Sequence, residues 1–221
     1  MRSLLRVAAV ILLVVLNFLS PFNLSQQKSK QQVLDDQVRR FLDEQRPSWR
    51  DMNVPSRDGQ FLYDLIIRNR YTRALEIGTS TGHSAIWIAW ALSKTGGKLI
   101  TIEIDEERHK EALENFKKAG VSKFIDARLA DAHDLVKELK GPFDFVFSDA
   151  DKDWNKQYFI DIAPKMTVGG CYTTHNVSLR QREFGGVTRE YLDFLKSQSN
   201  FETTVDDRHS SGIAVSYKRA M

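Results

Sequence analysis

Between residues 31 and 47 apolar side chains recur at helical spacing, and Val33, Val38, Phe41 and Leu42 fall on one face of an amphipathic helix. Pro47 and Pro55 bracket a loop, and helical periodicity resumes over 58–69. Beyond that point the pattern alternates. Short apolar runs at Arg73–Ile77, Lys98–Ile104, Phe124–Leu129, Phe143–Phe147 and Cys171–Thr174 read as strands. Between and after them, Ser84–Leu92, Glu106–Lys118, Asp131–Leu139, Asn155–Ala163 and Thr188–Gln198 read as helices, with Gly120 as the stop of the second. Strands separated by helices build crossover units, so these runs predict an α/β fold with a doubly wound, mostly parallel sheet. Phe201–Val205 and Ile213–Tyr217 have no helix between them and predict an antiparallel pair joined by a turn. The total is a seven-stranded sheet with an antiparallel strand near the C-terminus.

The first 24 residues break this pattern. Arg2 and Arg6 precede a run from Val7 to Leu19 that is apolar except for Asn17, and Ser20, Pro21 and Phe22 end it. A basic start and a short apolar core fit a signal peptide, whereas counting from Leu4 to Phe22 approaches the roughly 20 apolar residues of a membrane span. The division expected is therefore residues 1–24 as a signal peptide or membrane anchor and 25–221 as one domain. The location expected is membrane-anchored or exported, with attachment through residues 4–22. Arg2 and Arg6 on one side and Lys28 and Lys30 on the other leave the orientation open.

Composition narrows the chemistry. The 221 residues are 42% hydrophobic, enough for a packed core. Lys and Arg total 32 against 29 Asp and Glu, a net charge of +3 that gives no electrostatic case for a nucleic-acid partner. A single cysteine, Cys171, excludes an intrachain disulfide and a multi-cysteine zinc site.

The first strand runs into Glu76-Ile77-Gly78-Thr79-Ser80-Thr81-Gly82-His83-Ser84, a strand, a tight loop and a helix start. In open α/β sheets ligands sit beyond the carboxyl ends of the strands, so Glu76, Gly78, Ser80, Gly82 and Ser84 are candidate cofactor residues of a Rossmann-like domain. A dinucleotide site wants a further glycine where Ser80 and Thr81 stand, and the Glu76 carboxylate repels phosphate. A cationic ligand such as a sulfonium suits the loop better. Glu103, ending the second strand, can accept both hydroxyls of a ribose. Asp131, after the third strand, can receive an adenine amino group or cap the following helix.

Strand four ends in Ser148-Asp149-Ala150-Asp151-Lys152-Asp153-Trp154, and strand five in Thr173-Thr174-His175-Asn176. Adjacent strand ends bring Asp149, His175 and Asn176 into range of one divalent cation. From about Pro55 to the C-terminus, these motifs resemble the cation-dependent O-methyltransferases related to catechol O-methyltransferase and caffeoyl-CoA O-methyltransferase. Asp149-Ala150-Asp151-Lys152-Asp153 is the most specific match; Arg57-Asp58-Gly59-Gln60-Phe61-Leu62, Glu76 to Ser84, Ile102-Glu103 and Gly169-Gly170 also agree. The resemblance implies S-adenosyl-L-methionine as cofactor, methyl transfer to a hydroxyl of a small phenolic or catechol-like acceptor, and a homodimer. It further implies Lys152 as general base, Asp149 as a metal ligand that also borders the cofactor, and a second ligand pair after strand five.

At that pair the sequence departs from the family. His175 stands where the family has Asp, while Asn176 is retained. Imidazole is a poor magnesium ligand and a better one for zinc, iron, nickel or copper. A different metal, a weakened magnesium site and no metal all stay open, and with them a metal-independent methyltransferase or a tethered, non-catalytic binding protein. The loop after strand five, with Arg180, Arg182 and Phe184, is a candidate cover for the acceptor. Trp49 and Trp154 are candidates for an aromatic slot, His83 for packing beside the loop, and His109, His133 and His209 read as solvated.

Overall fold

The computed structural model describes residues 29–47, 49, 52–177, 189–207 and 212–221. The chain divides into two units, residues 1–34 and 35–221. In the first, the described residues open helix α1 (Lys30–Glu44) through a reciprocal capping box. Ser29 Oγ accepts the Gln32 N–H at 3.1 Å, and Gln32 Oε1 accepts the Ser29 N–H at 2.7 Å.

The second unit holds the sheet. Its elements are α2 (Ser56–Asn69), β1 (Arg73–Ile77), α3 (His83–Thr95), β2 (Lys98–Glu103), α4 (Glu106–Ala119), β3 (Ile125–Leu129), α5 (Ala132–Glu138), β4 (Phe143–Ser148), α6 (Asn155–Ile162), β5 (Met166–His175), α7 (Arg189–Ser197), β6 (Phe201–Asp206) and β7 (Ile213–Lys218). The strand order is β3-β2-β1-β4-β5-β7-β6. The first five strands run parallel to one another, and β7 is antiparallel to both β5 and β6. The expected Rossmann-like doubly wound sheet is therefore present, and β7, inserted between β5 and β6, is the antiparallel strand.

Both faces of the sheet are covered, which explains why its strands read as continuous apolar runs rather than as alternations. One face places Leu75, Ile77, Val146 and Tyr172 against Val136 of α5, Tyr158, Phe159 and Ile162 of α6 and Leu192 and Leu195 of α7. The alternate residues Ala74, Leu99, Phe145 and Cys171 are buried as well. Helix α3 is buried from His83 to Leu92, without a polar face.

Strand β5 is longer than the apolar run predicts. It starts at Met166, and the pairing with β4 slips between Phe143 and Phe145. Gly169 at φ 85° supplies the left-handed residue that such an irregularity requires. The polar, glycine-containing start of this strand has no apolar signature.

The expectation of a membrane-anchored or exported location is corrected. Among the described residues no helix is long and apolar enough to cross a membrane. The apolar run at the N-terminus, interrupted at Asn17, is short of the roughly 20 residues that a span needs. Residues 4–22 themselves lie outside the described residues.

Candidate active site

The loop from β1 to α3 is shaped by three left-handed residues, Gly78 (φ 94°), Ser80 (φ 49°) and Gly82 (φ 96°). A Cβ on Gly78 would lie 2.5 Å from the backbone oxygen of Asp149, so only glycine lets the ends of β1 and β4 approach this closely. At Gly82 a Cβ would meet the Phe116 ring at 2.5 Å. Ser80 holds the same region of backbone space with a side chain, a strained choice of the kind found where chain shape serves a site. Its hydroxyl is buried without a hydrogen-bond partner.

Glu103 fixes this loop to the end of β2. Its Oε2 accepts the Ser80 N–H at 2.6 Å, and its Oε1 accepts the N–H groups of Ile104 at 3.1 Å and Asp105 at 3.0 Å. Three backbone donors on one carboxylate leave an acceptor site on Oε2 for a further donor.

Gly78, Ser80, Glu103, Asp131 and Asp149 line one cavity of about 380 Å³ together with Ile102, Ile104, Arg108, His133, Ala150, Asp151 and Tyr158. These five of the expected cofactor residues meet at the carboxyl ends of β1, β2, β3 and β4. The other three do not line it. Gly82 caps α3. Ser84 is buried behind the loop. Glu76 is fully buried; Thr101 donates to its Oε2 at 2.6 Å, and Thr101 Oγ1 also meets Thr79 Oγ1 at 2.5 Å. Burial pushes the Glu76 pKa up to about 8, against the pull of the nearby Ser84 and Thr101 hydroxyls. Glu76 therefore acts beneath the loop and not on its ligand face. A larger groove of about 470 Å³ is lined by residues of α1, α2 and α3 and the chain just after α1, and by no strand end.

His133 is the residue that the sequence reading most misplaced. It is half-buried: its ring lies 3.9 Å from that of Trp154 and 5.8 Å from that of Tyr158, and Nδ1 is 3.1 Å from Asp131 Oδ1. Asp131 also caps α5 by accepting the His133 N–H at 2.8 Å. An apolar wall of aromatic rings beside two acids suits a planar base bearing an amino group. Trp49 stacks on His83 at 4.6 Å. His83 faces Val54 O through Nδ1 at 2.6 Å and accepts the Trp87 indole N–H at 3.2 Å, and burial lowers its pKa to about 4. This histidine is a neutral structural one, as expected for packing beside the loop. Of the candidate cover, residues 177–186, all but Val177 lie outside the described residues, as does His209.

Lys152 does not line the cavity; its Nζ lies 2.5 Å from Oδ1 of Asp149, which does. The other Asp149 oxygen lies 3.1 Å from His175 Nδ1, and His175 Nε2 lies 2.8 Å from Asp58 Oδ2. Asp58 is fully buried on α2 and belonged to no candidate set. Burial alone would lower the His175 pKa, but Asp149 and Asp58 outweigh it and raise the value to about 9. Burial likewise acts to raise the Asp149 pKa, and His175 and Lys152 overcome it and hold the carboxyl below the usual range.

These residues do not fit the divalent cation that Asp149, His175 and Asn176 were expected to hold. Each nitrogen of His175 faces a carboxylate oxygen, both oxygens of Asp149 face cationic groups, and Asn176 alone remains. Among the described residues no three His, Cys, Asp or Glu side chains converge as a metal site.

The profile of a family described as O-methyltransferase matches residues 24–189. The chain belongs to the O-methyltransferase family. Among curated relatives of this family, the catechol O-methyltransferase of Niastella koreensis is 39% identical over 112 residues, which are 49% of this chain and 50% of the relative. Caffeoyl-CoA O-methyltransferase 1 of Eucalyptus globulus is 35% identical over 55% of this chain and 51% of its own. The chain thus spans about half the length of these curated relatives. Among solved structures, the O-methyltransferase TomG from Streptomyces achromogenes, in complex with SAM, superposes with a TM-score of 0.67 at 26% identity, over 89% of this chain and 93% of that one. Cofactor-bound Rv0187 from MTB gives 0.70 at 25% identity, over 94% and 97%.

Proposed function

We propose that this O-methyltransferase family member transfers the methyl group of S-adenosylmethionine to a hydroxyl of a small phenolic, catechol-like acceptor. The observation that carries the reading is the cavity at the switch point of the sheet. It is lined by the loop-fixed carboxylate of Glu103 and by Asp149, whose Oδ1 meets Lys152. The SAM complex of TomG and the names of the catechol and caffeoyl-CoA relatives support both the cofactor and the acceptor class.

In this reading Glu103 accepts a ribose hydroxyl at Oε2, Ser80 offers its buried hydroxyl at the loop, and Asp131 accepts the adenine amino group beside the rings of His133 and Tyr158. The positive sulfonium lies toward Asp149. Lys152 is the base that takes the proton of the acceptor hydroxyl. The oxygen then forms its bond to the methyl carbon as the carbon–sulfur bond breaks, and sulfur keeps that electron pair. Alignment of oxygen, carbon and sulfur is the main task of such a site, and positioning alone supplies several kcal/mol of a barrier, on the order of 7–11 in favourable cases. Residues 25–221 form the methyltransferase domain in this reading, and a homodimer is the assembly that the family resemblance supports.

Calorimetry of S-adenosylmethionine with the full chain, followed by mass analysis of a catechol incubated with both, tests the proposal. Cofactor binding with a singly methylated catechol supports it. Absence of cofactor binding overturns it.

A further inference from the structure

Asp58 stands inside a sequence that carries no chemistry of its own, yet its side chain is fully buried. A buried carboxylate persists only where it is partnered, and α2 brings Asp58 to His175 at the end of β5, 117 positions away in sequence, at 2.8 Å. The contacts continue from there: His175 to Asp149 at 3.1 Å, and Asp149 to Lys152 at 2.5 Å. Acid, imidazole, acid and ammonium alternate along one line, leading from the inside of α2 to the cavity.

This arrangement has a consequence for metal chemistry. A ring nitrogen that faces a carboxylate oxygen at such distances presents its N–H, because a lone pair there would point at negative charge. Nε2 of His175 hydrogen-bonds Asp58, and Nδ1 makes an ion-pair contact with Asp149 at 3.1 Å that is not an aligned hydrogen bond. A ring held between two carboxylates is favoured in its doubly protonated form, which has no lone pair for a cation. Asp149, the one carboxylate of the expected ligand set, already meets one positive group with each oxygen. A dication placed among these groups would add its charge beside the Lys152 ammonium and would displace one of the two from Asp149. Asn176, the remaining expected ligand, is a neutral amide and holds no dication by itself.

We propose that the acceptor end of this site holds no divalent cation, and that the buried line Asp58–His175–Asp149 occupies its place and anchors Lys152 toward the acceptor hydroxyl. Asp58 and His175 are positioning residues in this arrangement, and Lys152 is the group that meets the acceptor. The part given to Lys152 rests on the methyl-transfer reading above; the closure of the cation position does not.

The test is manganese titration of the full chain with S-adenosylmethionine present, read by electron paramagnetic resonance, where bound Mn²⁺ loses the sharp signal of the free ion. In the wild type the signal stays that of free ion through the millimolar range, and catechol methylation is unchanged by EDTA. The His175→Asp variant removes both N–H groups and adds a carboxylate beside Asp149, and it gains Mn²⁺ binding. The Asp58→Asn variant keeps the side-chain shape and loses the anchoring charge. Its kcat falls by about tenfold or more while KM for S-adenosylmethionine stays the same, as expected for misplacement of a reacting group.

Mn²⁺ binding by the wild type overturns the proposal whether or not any acceptor turns over. Failure of His175→Asp to bind Mn²⁺ overturns the claim that His175 is what closes the position. Free Mn²⁺ together with bound S-adenosylmethionine and no methylated product counts against the methyl-transfer reading and leaves the cation-free site standing.

Discussion

Replacing Glu103 by glutamine tests the cofactor end of the cavity with a change of one atom. In the wild type, three backbone N–H groups point at this carboxylate, from Ser80 at 2.6 Å, Ile104 at 3.1 Å and Asp105 at 3.0 Å. A glutamine has one oxygen for them. If it faces Ile104 and Asp105, its NH₂ group meets the Ser80 N–H; if it faces Ser80, the NH₂ meets the other two. One or two charge-assisted hydrogen bonds are lost either way, each worth roughly 1.5–3 kcal/mol, so urea denaturation shows a loss of about 2–4 kcal/mol. The bound ribose loses an acceptor as well, and affinity for S-adenosylmethionine falls by about 10²-fold or more, at 1.4 kcal/mol per tenfold. The Ser80 side of the loop also loosens, so the cofactor effect exceeds that of the ribose contact alone. Calorimetry and urea melts on the same preparation give both numbers. Stability within about 0.5 kcal/mol of wild type, together with unchanged affinity, would refute the account of Glu103 as both loop latch and ribose acceptor.

Lys152→Met keeps the length of the side chain and removes the amine; kcat falls by about 10²-fold or more, the usual contribution of a general base, while calorimetry finds cofactor affinity unchanged. Gly78→Ala forces a left-handed alanine against the Asp149 carbonyl and lowers stability by ~3 kcal/mol in urea melts. Stability also falls as the pH rises from about 6.5 to 9, because two buried groups bind protons more tightly in the folded chain than in the unfolded one; below 6.5 the buried His83, lowered to about 4, gains stability with rising pH and offsets Glu76. Glu76, raised from 4.5 to about 8, contributes the loss between those values, and His175, raised from 6.5 to about 9, contributes favourably below 6.5 and loses that contribution by about 9. Glu76→Gln, neutral at every pH, removes the lower part of this slope and is more stable than wild type at pH 8; a slope equal to that of wild type would show that Glu76 is not the group responsible.

The sequence by itself determined the strand and helix order, the antiparallel end of the sheet and the position of the glycine loop. These follow from signals that are local in the chain: apolar runs, caps and left-handed glycines. It also grouped Glu76, Gly78, Ser80, Gly82, Ser84, Glu103, Asp131 and Asp149, because parallel strands in crossover units bring their carboxyl ends to one edge of the sheet, and five of these eight line the cavity. Only the tertiary structure decided which polar residues turn toward the cavity. Glu76 precedes the loop in sequence, but side chains alternate across a strand, and its side chain passes beneath the loop to Thr101. His133 carries no motif, and its stacking on Trp154 and Tyr158 depends on the packing of α5 against α6. Asp58 and His175 are 117 positions apart, and no local pattern joins a residue of α2 to the end of β5. The closed line from Asp58 to Lys152, and with it the fate of the expected cation, is set by how α2 docks beside the end of β5. That docking comes from side-chain packing between distant segments, which one sequence does not display.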